Sequence, residues 1–139
     1  MKSPIFLDSA CFIYTFEQNP LFLTKAQSIF TKVTSGELKA KTSIITLTEV
    51  LTKPYKTNDL ELVFKYKELF LQMPNLGLLF PDYNIAVTGS RMMAKYNLSL
   101  PDAYQLAMAV NSGCKTFLTN DKKFKKVNEI KVLTLEDLK

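Results

Sequence analysis

The sequence contains no histidine and only two cysteines in 139 residues. Without histidine, a Ser-His-Asp triad, a histidine-containing zinc site and acid–base catalysis by imidazole are all excluded. Cys11 and Cys114 each lie inside an apolar segment and match no disulfide framework, so we expect two reduced core residues. Any enzymatic chemistry must therefore use carboxylates, hydroxyls, lysines or metal ions.

Long hydrophobic runs are also missing from the sequence. No segment approaches the ~18 consecutive apolar residues of a membrane span, and Asp8 interrupts the apolar stretch near the N-terminus that a secretory signal would need. We therefore expect a cytoplasmic protein without membrane association. With 139 residues, 47% of them hydrophobic, the chain has the usual size and composition of one domain, so residues 1–139 are predicted to form a single domain.

The charge balance favours an anionic partner such as nucleic acid. Eighteen Lys and Arg residues against thirteen Asp and Glu residues give a net charge of +5, which attracts polyanions. Arg91 is the only arginine. Because lysine binds phosphate as a point charge and arginine is the usual reader of base edges, this composition suits phosphate attraction better than base recognition.

Hydrophobic periodicity predicts strands that alternate with helices. Strands are predicted at residues 4–7, 38–42, 76–80, 116–118 and 131–134, and the apolar runs at 4–7 and 76–80 indicate buried strands. Helices are predicted at residues 10–16, in a segment that ends at 35–36, at 44–52 before Pro54, at 60–72, at 83–96, and at 101–112 before Gly113. This alternation implies an α/β domain with a mainly parallel sheet.

Four separated carboxylates are the candidate functional residues: Asp8, Glu49, Asp102 and Asp121. Asp8 and Asp121 follow predicted strands, and functional groups collect at the carboxyl ends of parallel strands. Glu49 lies on the helix after the second strand, and Asp102 lies in the first turn of the helix after Pro101, beside its apolar face. Taken singly, each acid is explained as well by a helix cap or a solvated surface position. Their predicted convergence is what indicates a site.

A cluster of carboxylates needs positive charge, because neighbouring carboxylates raise one another's pKa. Mg²⁺ and Mn²⁺ prefer oxygen ligands, so neither histidine nor cysteine is required. Such an ion can activate water for attack on a phosphodiester and can stabilise charge on the phosphate. The pattern therefore indicates a site for Mg²⁺ or Mn²⁺.

Four sequence blocks carry a resemblance to a known family. They are Phe-Leu-Asp-Ser at 6–9, Thr-Leu-Thr-Glu-Val at 46–50, Leu-Pro-Asp-Ala-Tyr at 100–104 and Leu-Thr-Asn-Asp-Lys-Lys-Phe at 118–124. In order and spacing they resemble the PIN-domain nucleases, especially the VapC-like ribonuclease toxins of toxin–antitoxin pairs. The resemblance covers essentially the whole chain. It implies a three-layer α/β/α fold with a mainly parallel five-stranded sheet, an RNA substrate, a cognate antitoxin and a homodimer.

The resemblance also implies roles for individual residues. Asp8, Glu49, Asp102 and Asp121 would form the catalytic site that binds Mg²⁺ or Mn²⁺, with Asp8 and Asp102 as direct ligands. Glu49 and Asp121 would ligate a second ion, orient waters or assist proton transfer. Ser9, Thr119 and Asn120 match positions that orient ligands or phosphate. The lysines that follow Asp121, above all Lys122 and Lys123, would bring the phosphate backbone towards the metal, or would form only a solvated helix face.

Three other functions are compatible with parts of the pattern. A phosphotransferase of the haloacid-dehalogenase type also begins with a strand ending in Asp, but it usually needs a second acid where this chain has Ala10. A receiver domain would need an adjacent acidic pair and a late lysine at a strand end, and neither is evident. The strongest alternative is a PIN-like module that binds RNA or a partner with little catalysis, although a degenerate site would be free to lose its acids.

Overall fold

The computed structural model describes residues 3–17 and 20–138. Within these ranges, the chain forms five strands and six α-helices, and two helices follow each of the first three strands. The strands are β1 (Ile5–Leu7), β2 (Ala40–Ser43), β3 (Leu76–Leu79), β4 (Thr116–Thr119) and β5 (Lys131–Thr134). The helices are α1 (Ser9–Phe16), α2 (Leu23–Ser35), α3 (Ile44–Lys56), α4 (Leu60–Gln72), α5 (Tyr83–Tyr96) and α6 (Leu100–Asn111). Short 3₁₀ turns lie at Lys122–Lys126 and Leu135–Asp137.

The strands form one sheet in the order β3-β2-β1-β4-β5, and every neighbouring pair is parallel. The predicted α/β class is therefore confirmed, and the sheet is parallel throughout its described strands. β1 lies at the centre of the sheet. β2 and β3 lie on one side of it, and β4 and β5 lie on the other. In such a sheet, a crevice opens beyond the carboxyl ends of the two strands where the order reverses. Here those strands are β1 and β4.

Helices cover both faces of the sheet, as the three-layer prediction requires. Phe6 and Phe117 pack into the core beneath α5 and α6, and their rings stack with centroids 5.1 Å apart. Leu7 and Leu118 point to the opposite core, which α1 to α4 complete. Because successive side chains of a strand point to opposite faces, β1 and β4 each contribute side chains to both cores.

Short polar side chains fix several helix ends where the sequence predicted them. The carboxylate of Asp59 accepts from the N–H of Leu62 at 3.1 Å, and that of Asp82 accepts from the N–H of Ile85 at 2.9 Å. Gly36 ends α2 with a φ of 84°, a conformation that glycine adopts without steric cost. These local caps explain why the predicted bounds of α4 and α5 are confirmed.

The prediction that the third helix ends before Pro54 is wrong, because α3 continues to Lys56. Pro54 lies in the last turn of the helix, where its missing N–H removes only one backbone hydrogen bond. The N–H of Thr57 still donates to the carbonyl of Lys53 at 3.0 Å, and the carbonyl of Pro54 accepts from the N–H of Asp59 at 2.8 Å. Pro54 is also buried, so packing favours the continued helix.

The prediction of a fully buried strand at residues 76–80 is also wrong in part. β3 is an edge strand whose residues are half-buried or exposed, and Phe80 lies beyond it with 60% of its surface exposed. An apolar run by itself does not reveal that one edge of the strand lacks a neighbour.

Cys11 and Cys114 are both buried and free of disulfides, as predicted. Among the helices of residues 3–17 and 20–138, none has the length and apolar character needed to cross a membrane.

Candidate functional site

The four predicted carboxylates line a single cleft at the carboxyl edge of the sheet. The cleft has a volume of about 570 Å³, and its lining includes Asp8, Glu49, Asp102 and Asp121. Asp8 directly follows β1 and Asp121 follows β4, while α3 carries Glu49 and α6 carries Asp102. Four separate elements therefore bring these acids together at the reversal point of the strand order.

Asp8 is held by hydrogen bonds from three directions. As the N-cap of α1, its Oδ1 accepts from the N–H of Ser9 at 2.8 Å, and its Oδ2 accepts from the hydroxyl of Thr119 at 2.7 Å. The side-chain amide of Gln105 approaches Oδ1 at 3.4 Å. Asp8 therefore caps α1 and lines the cleft with the same carboxylate.

Gln105 is a residue of the site that the sequence did not reveal. Its side chain is 1% exposed, its amide oxygen accepts from the hydroxyl of Ser43, and its Nε2 donates to Thr46 Oγ1 at 2.6 Å. The amide thereby links β2 and α3 to Asp8. The available signal was a polar residue three positions after Asp102, on the same side of an otherwise apolar helix.

The surroundings of Asp8 and Glu49 in the cleft disfavour the ionised form of their carboxyl groups. Burial raises the pKa of Asp8 above its ordinary value, the hydrogen bond from Thr119 opposes this rise, and the charge of Asp102 adds to it. Glu49 is exposed as a whole residue, yet partial burial of its carboxyl group, followed by the charges of Asp8 and Asp102, raises its pKa to about 7. Acids with raised pKa values in one cleft indicate a place for a cation.

Lys123 already supplies one positive charge to these acids. Its Nζ lies 2.6 Å from Asp102 Oδ2 and 3.1 Å from Asp121 Oδ2. These hydrogen bonds with the two carboxylates raise the pKa of the ammonium group. Lys123 therefore contacts the acidic site directly, and its side chain is more than part of a solvated helix face.

Ser9 and Thr119 act on the acids at close range. The hydroxyl of Ser9 bonds to Glu49 and lowers its pKa against the larger effect of burial. Thr119 is fully buried; besides its bond to Asp8, its hydroxyl accepts from the N–H of Asp121 at 3.1 Å. A buried hydroxyl cannot meet a polymer substrate, so Thr119 orients the acids that line the cleft.

Asn120 and Lys122 also line the cleft, but both have protein partners. The amide of Asn120 donates to the hydroxyl of Tyr14 at 2.8 Å, and Lys122 Nζ lies 3.6 Å from Glu136 Oε2. Lys125 pairs with an acid as well, through Asp137. These exposed ion pairs are weak, yet they offset part of the positive charge that the lysine run would otherwise present to phosphate.

The donor chemistry of the cleft fits a hard divalent cation. Its carboxylate oxygens are the ligands that Mg²⁺ and Mn²⁺ prefer. The space between Asp102 and Asp121 already holds the ammonium group of Lys123. Over the described part of the chain, no three residues of the types His, Cys, Asp and Glu form a ready-made metal cage. Mg²⁺ commonly binds one or two carboxylates and completes its shell with water and phosphate oxygens.

Comparisons with known proteins agree on one family and one fold. Residues 5–130 match the family model of the PIN domain. The structure of DNA-bound VapBC from Salmonella typhimurium has a TM-score of 0.74 and 21% identity, covering 96% of this chain and 99% of that one. VapBC2 from Rickettsia felis, bound to a promoter DNA fragment, has a TM-score of 0.74 and 15% identity, covering 94% and 97%.

A third similar structure is that of VapC20 from Mycobacterium tuberculosis, described as a toxin that cleaves the sarcin–ricin loop. Its TM-score is 0.71 at 13% identity, and the alignment covers 91% of this chain and 98% of that one. Among curated proteins, no sequence matches the chain. At these identities, the structural likeness shows the fold, and the family model shows the family.

Proposed function

The chain belongs to the PIN-domain family, and we propose on that premise that it is a metal-dependent endoribonuclease acting as the toxin of a toxin–antitoxin pair. The observation that carries the proposal is the cleft lined by Asp8, Glu49, Asp102 and Asp121. The similar structures support it, because one is described as a toxin–antitoxin complex and another as a toxin that cleaves the sarcin–ricin loop.

The proposed cofactor is Mg²⁺ or Mn²⁺, held by Asp8 and Asp102 as direct ligands with Glu49 beside them. When bound, such an ion supplies a water of lowered pKa and neutralises charge on the phosphate. Thr119 and the N–H of Ser9 hold the carboxylate of Asp8 in one orientation, and this preorganisation favours catalysis because the ligand does not have to be ordered when RNA binds.

The RNA backbone is proposed to enter the cleft along Asn120 and Lys122, which line it. Lys122 forms an exposed ion pair with Glu136, and such pairs exchange at little cost. Release of this pair would let the ammonium contact a phosphate. A lysine contact of this kind adds affinity that falls with salt concentration and does not select a base.

Cleavage of RNA by the purified protein tests the proposal. With Mg²⁺ or Mn²⁺, we expect cleavage of single-stranded or structured RNA, and both EDTA and Asp8→Asn should abolish it. Asp82→Asn is the matched control, because Asp82 is also an N-cap, lies outside the lining of the cleft, and is replaced by a residue that caps equally well. RNA binding without cleavage under any divalent ion would favour the binding module instead.

We also propose a cognate antitoxin and a homodimer as the assembly. The antitoxin is supported by a similar structure from Klebsiella pneumoniae that is described as a toxin–antitoxin complex. Light scattering on the purified chain of 15.8 kDa should give twice the mass of one chain, and a protein encoded beside its gene should co-purify with it and inhibit cleavage. A monomeric mass would exclude the dimer and leave the nuclease proposal standing.

A further inference from the structure

The backbone of Lys123 is fixed at the edge of the cleft from both sides. On one side, Asp121 caps the 3₁₀ turn at Lys122–Lys126. On the other side, Phe124 is 1% exposed and packs on Phe117 with ring centroids 4.9 Å apart. A residue between a cap and a buried anchor has little freedom to move its Cα, so the side chain of Lys123 starts from a defined position.

Lys123 engages both oxygens of Asp121. The N–H of Lys123 donates to Asp121 Oδ1 at 3.1 Å, and its ammonium lies 3.1 Å from Oδ2. The same ammonium lies 2.6 Å from Oδ2 of Asp102, which also accepts from the hydroxyl of Ser99 at 3.0 Å. The space between Asp102 and Asp121 is thus occupied by a positive charge that belongs to the chain.

The neighbouring lysines do not share this arrangement. Lys122 pairs with Glu136 and Lys125 with Asp137, and both of these acids lie in the 3₁₀ turn near the end of the described chain. Lys122 therefore carries the same charge one residue away, while its partner lies outside the four-acid cleft. This difference makes Lys122 a matched control for Lys123.

In nucleases with two metal ions, the ions lie about 3.5–4 Å apart and are bridged by shared ligands. Starting from the metal-dependent function proposed above, we propose that Lys123 replaces the second ion, so that the site binds one divalent ion, held by Asp8 and Asp102 with Glu49 beside them. A second ion between Asp102 and Asp121 would have to displace the ammonium, since two cations in that space repel each other. Asp121 then serves as the counter-ion of Lys123 and is not a metal ligand.

The number of Mn²⁺ ions bound per chain tests this inference without RNA or cleavage. Calorimetric titration, with the electron paramagnetic resonance signal of free Mn²⁺ as a second readout, should give one ion for the native protein. Lys123→Gln should give two ions, because it frees the Asp102–Asp121 pair. Lys123→Arg and the control Lys122→Gln should each keep one ion. Circular dichroism confirms folding of each variant, and Lys123→Met is the alternative if the glutamine variant does not fold.

The outcomes separate this inference from the proposed function. Two ions in the native protein, or one ion in a folded Lys123→Gln variant, would overturn the role of Lys123 and leave the metal-dependent nuclease intact. Absence of Mn²⁺ binding to the native protein would overturn both. Asp121→Asn gives an independent check, because it should keep one ion, whereas Asp8→Asn should lose it. Loss of the ion in Asp121→Asn would make Asp121 a ligand and contradict the inference.

Discussion

Replacing Gln105 with methionine should destabilise the protein strongly, although the two side chains are similar in volume. In the described residues, every buried side-chain nitrogen and oxygen has a hydrogen-bond partner. Gln105 satisfies two of these groups, the hydroxyls of Ser43 and Thr46, and it also approaches Asp8. Methionine fills the space and can replace none of these bonds.

The expected loss follows from the number of groups that lose a partner. A buried polar group without its partner costs about 1–3 kcal/mol, and both hydroxyls are fully buried. Part of this cost is offset, because methionine is itself easier to bury than an amide. We therefore expect the free energy of unfolding to fall by roughly 2–4 kcal/mol. For a domain of this size, that corresponds to a melting temperature lower by roughly 6–14 °C.

Urea denaturation monitored by circular dichroism measures the change, with calorimetry for the melting temperature. Gln72→Met is the control, because Gln72 is an exposed glutamine at the end of α4 and surface changes of this kind usually stay within about 0.5 kcal/mol. If Gln105→Met lost no more stability than this control, the hydrogen bonds of the buried amide would contribute nothing to the free energy of unfolding. A double-mutant cycle with Ser43→Ala should show a coupling of about 1 kcal/mol or more.

Two further predictions concern the acids. The pKa of Glu49 is raised from 4.5 to about 7, so the folded state binds an extra proton in that window and the unfolding free energy of metal-free protein should fall as pH rises through it. Because Glu49 is exposed, we expect the unfolding free energy to fall by only about 1 kcal/mol. Urea denaturation at several pH values should show a smaller pH dependence of this free energy for Glu49→Gln. Thr119→Val removes the bonds to Asp8 and Asp121, and urea denaturation should show a loss of about 1–3 kcal/mol. The loss should be smaller at acidic pH than at neutral pH, because burial raises the pKa of Asp8 and its protonation removes the charge that the hydroxyl stabilises.

Each of these two predictions has a control. Thr48 is an exposed threonine on α3 whose hydroxyl donates to the carbonyl of Ile44, and Thr48→Val should change stability little at either pH. An equal pH slope for the native protein and Glu49→Gln would show that Glu49 does not carry the dependence. A Thr119→Val variant as stable as Thr48→Val would show that its two hydrogen bonds contribute nothing.

Much of the fold could be predicted from the sequence because the signals are local. Strands and helix ends are determined within a few positions, by an apolar run of four residues, an Asp before a helix or a glycine after one. The bounds of α4 and α5 could therefore be predicted without the rest of the chain. Pro54 and β3 show where this fails. Whether a proline is tolerated in a last turn, and whether a strand lies at an edge, depends on neighbours that are distant in sequence.

The sequence identified Asp8 and Asp121 by their positions after strands, Asp102 by its place in a first helical turn and Glu49 by its place on the helix after the second strand. Their placement in one cleft follows from the parallel order of the strands, and the sequence indicated this because parallel strands share a carboxyl edge. The contacts that define their chemistry join Gln105 to Asp8 across 97 positions and Thr119 to Asp8 across 111 positions. The sequence by itself therefore determined which acids meet. Only the tertiary structure decided which amide, hydroxyl and ammonium groups surround them, because hydrogen bonds depend on distances that no local pattern encodes.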